Sequence, residues 1–281
     1  MSKSVQIPKP ERPIRLVACD MDGTLLNSEF RLSPRTVETV RCVTRKGVYF
    51  VLVSGRMIAT LRPFHQELGL TTPVIGYNGA MVRDLTSGET LSHTPIPYPI
   101  AEQVIAFAQE EGFHLQYFWD DRFFAVSRNP WLELYESRVR LKGEIVPDLR
   151  EFGPDRPPTK MQIITDPETV RELVPLLQER FRPHLYVTRT LPEYVEMMHP
   201  EVSKGRALRE LAGQLRVPRE QIVVFGDAPN DLTMFEEAGL SIAVANGSEA
   251  VREQADGLTL SNDEDGVAVA LEALGLCEEE A

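Results

Sequence analysis

Cysteine is scarce in this chain: Cys19, Cys42 and Cys277 are the only three in 281 residues. An odd count without CxxC spacing indicates neither a disulfide framework nor a zinc cluster, and a reducing cytoplasm is the expected compartment. Long hydrophobic runs are missing too. No stretch of about 18 apolar residues is present, and the polar segment from Met1 to Pro13 lacks the apolar core of a signal peptide. Residues 1–13 therefore read as a disordered leader to a soluble protein. Positive charge is the third deficit. Lys and Arg number 30 against 42 Asp and Glu, a formal net charge of -12. Such a surface repels a nucleic-acid backbone or an anionic membrane, so neither is expected as a partner. A small phosphorylated molecule can still bind wherever cations gather locally. There is no internal repeat and no pattern that specifies an oligomeric state.

What is present is an alternation. At about 150 residues per domain the length allows one large or two ordinary domains. From residue 14 onward apolar strands alternate with amphipathic helices, the signature of βαβ units and a parallel sheet. The spacing predicts strands over 14–20, 48–53 and 74–77, with helices opening at Ser33-Pro34 and near Ile58. Serine as N-cap and proline in the first turn mark the first helix start. After residue 80 the rhythm changes: a hairpin is signalled around Thr86-Ser87-Gly88, and strands at 114–118, 123–126, 160–165, 182–189 and 193–198 are interspersed with helices. The parallel rhythm returns with a helix from Ser203 and strands at 221–225 and 241–244. The expected organisation is a doubly wound, Rossmann-like α/β core from 14–82 and 200–281, with an α+β domain inserted at 83–199.

Polar residues gather where the core strands end. Asp20 and Asp22 close the first strand, and side chains two residues apart in extended chain share a side, roughly 7 Å apart. Two like charges that close need a cation, a shared proton, or both. Ser54, Lys204 and the segment Gly226-Asp227-Ala228-Pro229-Asn230-Asp231 supply more such groups. Open α/β sheets bind ligands at the carboxyl edge, where these segments converge. Carboxylates hold hard cations, and magnesium typically takes one or two of them together with substrate phosphate oxygens. A lysine and backbone N–H groups suit the phosphoryl oxygens. The set is built for a phosphoryl group plus Mg2+.

The motifs Asp20-Met21-Asp22-Gly23-Thr24-Leu25, Ser54-Gly55-Arg56, Val202-Ser203-Lys204-Gly205 and Gly226-Asp227-x-x-Asn230-Asp231 occur in the order and spacing of the haloacid-dehalogenase-like (HAD) superfamily. The insertion between the second and third resembles the large cap of its Cof-type sugar-phosphate phosphatase branch. The resemblance implies a phosphatase for small phosphorylated metabolites. Asp20 would be the nucleophile, forming an aspartyl-phosphate, and Asp22 the acid and base at the leaving oxygen and attacking water. Ser54, Gly55, Lys204 and Asn230 would bind the phosphoryl group or orient what binds it. Magnesium would be held by Asp20, the backbone carbonyl of Asp22 and Asp227, with Asp231 acting through water. Asn78, Gly79 and Arg56 would lie near the substrate, and the inserted cap would select it. Ser54 stands where threonine is commoner, and Glu201 where a glycine is often found.

Plainer readings stand beside these. Asx-rich helix starts are often only caps, and a lysine early in a helix is often only solvated, although the helix dipole disfavours it there. His114 and His199 read first as core or surface residues and second as substrate contacts. The aromatics Tyr117, Phe118, Trp119, Phe123, Phe124, Trp131 and Tyr135 read as cap core, one or two of them facing a substrate. A phosphomutase would use the same core residues. A phospho-accepting signalling domain is disfavoured because the second strand ends in Ser54 rather than an aspartate.

Overall fold

The computed structural model describes residues 5–277. The chain forms two compact units, one from both ends of the chain (up to Ser92 and from Ser203) and one from His93–Val202. In chain order the first unit opens with β1 (Leu16–Asp20), α1 (Pro34–Arg45), β2 (Tyr49–Val53), α2 (Ile58–Leu68), β3 (Val74–Gly76), β4 (Met81–Arg83) and β5 (Thr90–His93). The inserted unit contributes α3 (Tyr98–Glu111), β6 (His114–Trp119), β7 (Arg122–Ala125), α4 (Pro130–Val139), β8 (Glu144–Ile145), β9 (Lys160–Ile164), α5 (Pro167–Arg180), β10 (Tyr186–Arg189) and β11 (Tyr194–Met198). The chain then returns through α6 (Lys204–Gln214), β12 (Ile222–Gly226), α7 (Leu232–Phe235), β13 (Leu240–Ala243), α8 (Glu249–Gln254), β14 (Gly257–Leu258) and α9 (Gly266–Ala273).

The first unit is the expected α/β core. Its eight strands run in the order β14-β13-β12-β1-β2-β3-β4-β5, parallel from β14 to β3. Strands β1 and β12 are wholly buried, which is why they read as unbroken apolar runs rather than as alternations. Because β1 lies between β2 and β12, the sheet winds outward in both directions from it. Its carboxyl end is thus the switch point where such sheets bind ligands. Helix α1 begins as anticipated, with Ser33 Oγ accepting from the Thr36 N–H at 3.0 Å and Pro34 in the first turn.

Three expectations change. The insertion begins after Ser92 rather than at 83, because β4 and β5 continue the core sheet as its antiparallel edge, and it ends at Val202 rather than 199. The leader is not wholly irregular: Gln6 and Leu258 exchange both backbone hydrogen bonds at 2.8 Å, extending the sheet beside β14. Residues 1–4 of that leader lie outside the described residues. Finally, Cys42 and Cys277 form a disulfide although no framework was anticipated. Their separation of 235 residues matches no spacing rule. They meet because α1 packs against α9, where Glu272 accepts from Arg35 and Thr39. Cys19 is the free cysteine, buried in β1. Among the described residues no helix is long and apolar enough to cross a membrane.

The inserted unit has its own sheet, in the order β10-β11-β9-β6-β7-β8. Alternate residues Leu115, Tyr117, Met161, Ile163, Val195 and Met197 join α3 and α5 in one hydrophobic core. The opposite face carries an aromatic cluster in which the Tyr135 ring of α4 meets Phe118, Phe123 and Tyr194 at 5.8, 5.0 and 5.9 Å. Of the aromatics expected in this core, Tyr117 and Phe124 lie on the helical face, and Phe118, Phe123 and Tyr135 on the other. His114 is a buried residue of β6.

Candidate active site

Four parallel strands bring the predicted residues to one edge. Asp20 is the last residue of β1, while Ser54, Tyr77 and Asp227 follow directly on β2, β3 and β12. Strand register holds these ends level, pairing Asp20 with Val53, Val53 with Ile75 and Cys19 with Phe225.

Lys204 opens α6 with Ser203 as N-cap, a position where the helix dipole opposes a cation. Two carboxylates compensate. Its ammonium donates to Asp20 Oδ1 at 2.5 Å and to Asp231 Oδ1 at 2.6 Å, and all three side chains are nearly inaccessible to solvent. Burial alone would lower the Lys204 pKa, but Asp20 and Asp231 outweigh it and raise the pKa. Burial pushes Asp20 well above the ordinary carboxylate range, and Asp231 and Asp227 add to this while Lys204 opposes it. Asp227 is raised as well, first by burial.

Asp231 has no oxygen to spare: Oδ1 takes the lysine, and Oδ2 takes the backbone N–H groups of Asp227 and Ala228, each at 3.0 Å. Thr24 Oγ1 donates to Asp227 Oδ1 at 2.7 Å, linking the first motif to the fourth. Gly23 has φ +81°, and a Cβ there would lie 2.6 Å from Asp227 Oδ2, so glycine allows both the turn and the approach of that carboxylate. One oxygen from each of Asp20, Asp227 and Asp231 lies within 4.8 Å of the others. Three acids converging on one point, two of them pushed upward by burial, fit a hard divalent cation that would relieve their repulsion. With Asp231 committed to Lys204 and the backbone, Asp20 and Asp227 are the carboxylates of that set that could hold such a cation directly.

The other predicted residues form a second group. Asp22 accepts a bidentate pair from Arg56, Nε to Oδ2 at 2.7 Å and Nη2 to Oδ1. The guanidinium lies 5.8 Å from the Phe30 ring and 5.6 Å from that of Phe64. Arg56, expected near substrate, is thus engaged with the proposed acid and base. Ser54 is buried, its Oγ accepting from the Arg56 N–H at 3.1 Å. Asn230 Nδ2 donates to Asn78 Oδ1 at 2.9 Å, and the Asn78 N–H donates to the Ser54 carbonyl at 3.0 Å. Tyr77 and Asn78 both have positive φ, and a Cβ on Gly55 would be 3.0 Å from Asn78 Oδ1. Gly79, with φ +101°, abuts the Ser203 carbonyl so closely that a side chain cannot fit. The Asn78-Gly79 turn therefore braces three motif loops against one another. Local backbone strain of this kind is concentrated where geometry serves a site.

Sequence reasoning overlooked Thr24 and Asn246. Asn246 Nδ2 donates to the Gly23 carbonyl at 2.7 Å, and its Oδ1 accepts from the Asn262 N–H. The turn signal Asn246-Gly247-Ser248 after β13, another strand end of the same sheet, was the available clue. His199 accepts from the Glu201 N–H at 3.2 Å in the chain that follows β11.

Residues 17–271 match the family described as haloacid dehalogenase-like hydrolase. The chain is 30% identical to a Bacillus subtilis 5-amino-6-(5-phospho-D-ribitylamino)uracil phosphatase, YitU, over 90% of this chain and 94% of that one. It is 28% identical to the Escherichia coli pyridoxal phosphate phosphatase YbhA, over 90% and 96%. A Thermotoga maritima protein solved by X-ray crystallography superposes with a TM-score of 0.86 at 35% identity, covering 92% of this chain and 97% of that one.

Proposed function

The chain belongs to the haloacid dehalogenase-like hydrolase family, and we propose that it is a magnesium-dependent phosphatase releasing phosphate from small metabolites through an aspartyl-phosphate on Asp20. The observation that carries this reading is the Lys204 ammonium fixed between Asp20 and Asp231, with Asp227 beside them. Asp20 attacks phosphorus, and Lys204 and the Ser54 hydroxyl neutralise and orient the phosphoryl oxygens, the electrostatic positioning on which phosphoryl transfer depends. Asp22, steadied by Arg56, gives a proton to the leaving oxygen and later takes one from water. Asn230 and Asn78 hold the loops in register. Bound magnesium, held by Asp20, the Asp22 carbonyl and Asp227, would supply charge neutralisation to the transferring group. The inserted unit selects the substrate; small phosphorylated metabolites such as pyridoxal phosphate are the class that the relatives' names support, and sugar phosphates are the class that the Cof-type resemblance implies.

The test is release of inorganic phosphate from a panel of phosphorylated metabolites with magnesium and no acceptor sugar. Asp20→Asn should abolish turnover while leaving the circular-dichroism spectrum unchanged, and EDTA should silence the enzyme until magnesium is restored. Isomerised product without phosphate release would make it a mutase; activity indifferent to chelator would remove the metal.

A further inference from the structure

The loop that follows β13 touches both turns that would hold the cation, yet it belongs to none of the four motifs. On one side it reaches the fourth motif. The Ser248 N–H donates to the Asp227 carbonyl at 2.9 Å. A Cβ on Gly247 would lie 3.2 Å from Asp227 Cα and 3.0 Å from the Val244 carbonyl, so the missing side chain lets the two backbones run this close. On the other side the loop reaches the first motif, where Asn246 Nδ2 donates to the Gly23 carbonyl at 2.7 Å. One short loop therefore spans from the backbone of Asp227 to the residue after Asp22.

A second asparagine stands behind the first. Asn246 Oδ1 accepts from the Asn262 N–H at 2.9 Å, which settles the orientation of the carboxamide, since its NH2 end is then the one directed at Gly23. The Asn262 side chain donates to the Leu26 carbonyl at 2.9 Å, and the next residue, Asp263, accepts from the Ser28 N–H at 2.7 Å. Between these points the first-motif turn closes on itself, the Leu26 N–H donating to the Met21 carbonyl at 2.8 Å. The carbonyls of Gly23 and Leu26 are thus held from outside the turn by two side-chain amides that are themselves joined. Asn246 is exposed and Asn262 half-buried, so core packing does not account for either residue.

We propose that Asn246, backed by Asn262, is a positioning residue that fixes the distance between the first-motif and fourth-motif turns, and through it the preference of the site for a small divalent cation over a large one. The proposal rests on the metal reading given above. Magnesium demands near-ideal octahedral oxygens at about 2.0–2.1 Å, whereas calcium accepts six to eight oxygens in looser geometry at about 2.3–2.6 Å. A spread of a few tenths of an ångström between the ligands therefore penalises magnesium and is tolerated by calcium. The Thr24 hydroxyl also links the two motifs, but it does so through the Asp227 side chain, which can rotate. Asn246 and Ser248 act on the two backbones.

Isothermal titration calorimetry of Mg2+ and of Ca2+ into the substrate-free protein reads this without turnover. In Asn246→Ala the Mg2+ Kd should rise by about 10- to 100-fold, the usual result of losing a residue that orients metal ligands. The Ca2+ Kd should change far less, moving the ratio of the two constants by about tenfold or more. Asn246→Asp keeps the acceptor for the Asn262 N–H but sets an oxygen against the Gly23 carbonyl. Its added charge attracts both cations alike and cancels in the ratio, which should move the same way. Asn262→Ala, which frees the Leu26 carbonyl, repeats the test should the variants at 246 misfold. A lower metal-free Tm with an unchanged ratio means that the loop is only a brace and overturns the proposal, as does an equal loss of affinity for both ions. If the wild-type protein binds neither ion, the metal reading fails and the proposal with it. If the wild type prefers magnesium and the variants keep that preference, the proposal alone fails.

Discussion

The disulfide between Cys42 and Cys277 should be the largest single stabilising link of the first unit, and removing it by reduction or by Cys277→Ser tests that. A cross-link spanning 235 residues removes about 18 cal/mol/K of denatured-chain entropy, which is ~5.5 kcal/mol at 25 °C. Measured disulfides usually retain ~2–4 kcal/mol, equivalent to a Tm shift of roughly 5–15 °C for a unit of this size. Helix α9 should stay docked, because Val267, Ala268, Ala270 and Leu271 are buried and Arg35 still pairs with Glu272 at 2.6 Å. The reduced protein should therefore melt earlier while keeping its fold and turnover at 25 °C. The assay is differential scanning calorimetry with and without reductant, beside a thiol titration in denaturant. With the bond intact the unreduced chain yields one thiol, Cys19. Three thiols before reduction, as expected of a chain in a reducing compartment, or an unchanged melting profile after it, would refute the reasoning.

Other outcomes follow from the same physical terms. Lys204→Met should reduce phosphate release by about 10²- to 10³-fold, as loss of preorganised charge at an oxyanion does; a loss below tenfold in steady-state assays would take Lys204 out of the site. The neutral state of buried His114 makes the inserted unit acid-labile. Its folded pKa of about 4 lies below the ordinary 6.5, so the unfolded chain binds the proton first. Stability is then lost as pH falls from 6.5 towards 4, by about 3 kcal/mol in all. Urea titrations at pH 7 and pH 4.5 should show that slope, and His114→Asn should flatten it. Gly79→Ala forces a side chain onto the Ser203 carbonyl at φ +101° and should cost more than about 2 kcal/mol; wild-type melting and activity would contradict the bracing role of the turn.

The chemistry was more legible in the sequence than its wiring. Apolar runs ending on Asp20, Ser54 and Asp227 announce buried parallel strands and their shared edge, because burial on both faces leaves a pattern in the residues themselves. Which partner each acid takes is set by register between distant segments, so the bond from Lys204 to Asp231 and that from Arg56 to Asp22 had no local trace. The β4–β5 hairpin misplaced the domain boundary for a related reason: an antiparallel pair looks alike whether it edges a core sheet or starts an insertion. The Cys42–Cys277 bond was hidden because contact between α1 and α9 brings the two thiols together.

The register of β1 against β12 also constrains how the molecule can be made. Strand β1 leaves the ribosome with β2 as a neighbour on one side, but its other neighbour is some 200 residues further along the chain. Such non-local pairing is slow to form and leaves an apolar strand edge open in the meantime. A fragment ending before Ile222 would hold Asp20, the proposed nucleophile, and five of the sheet's eight strands, but neither Asp227 nor Asp231, and its bare β1 edge would invite aggregation. Synthesis of the last quarter of the chain thus closes the sheet and completes the acid cluster in a single event.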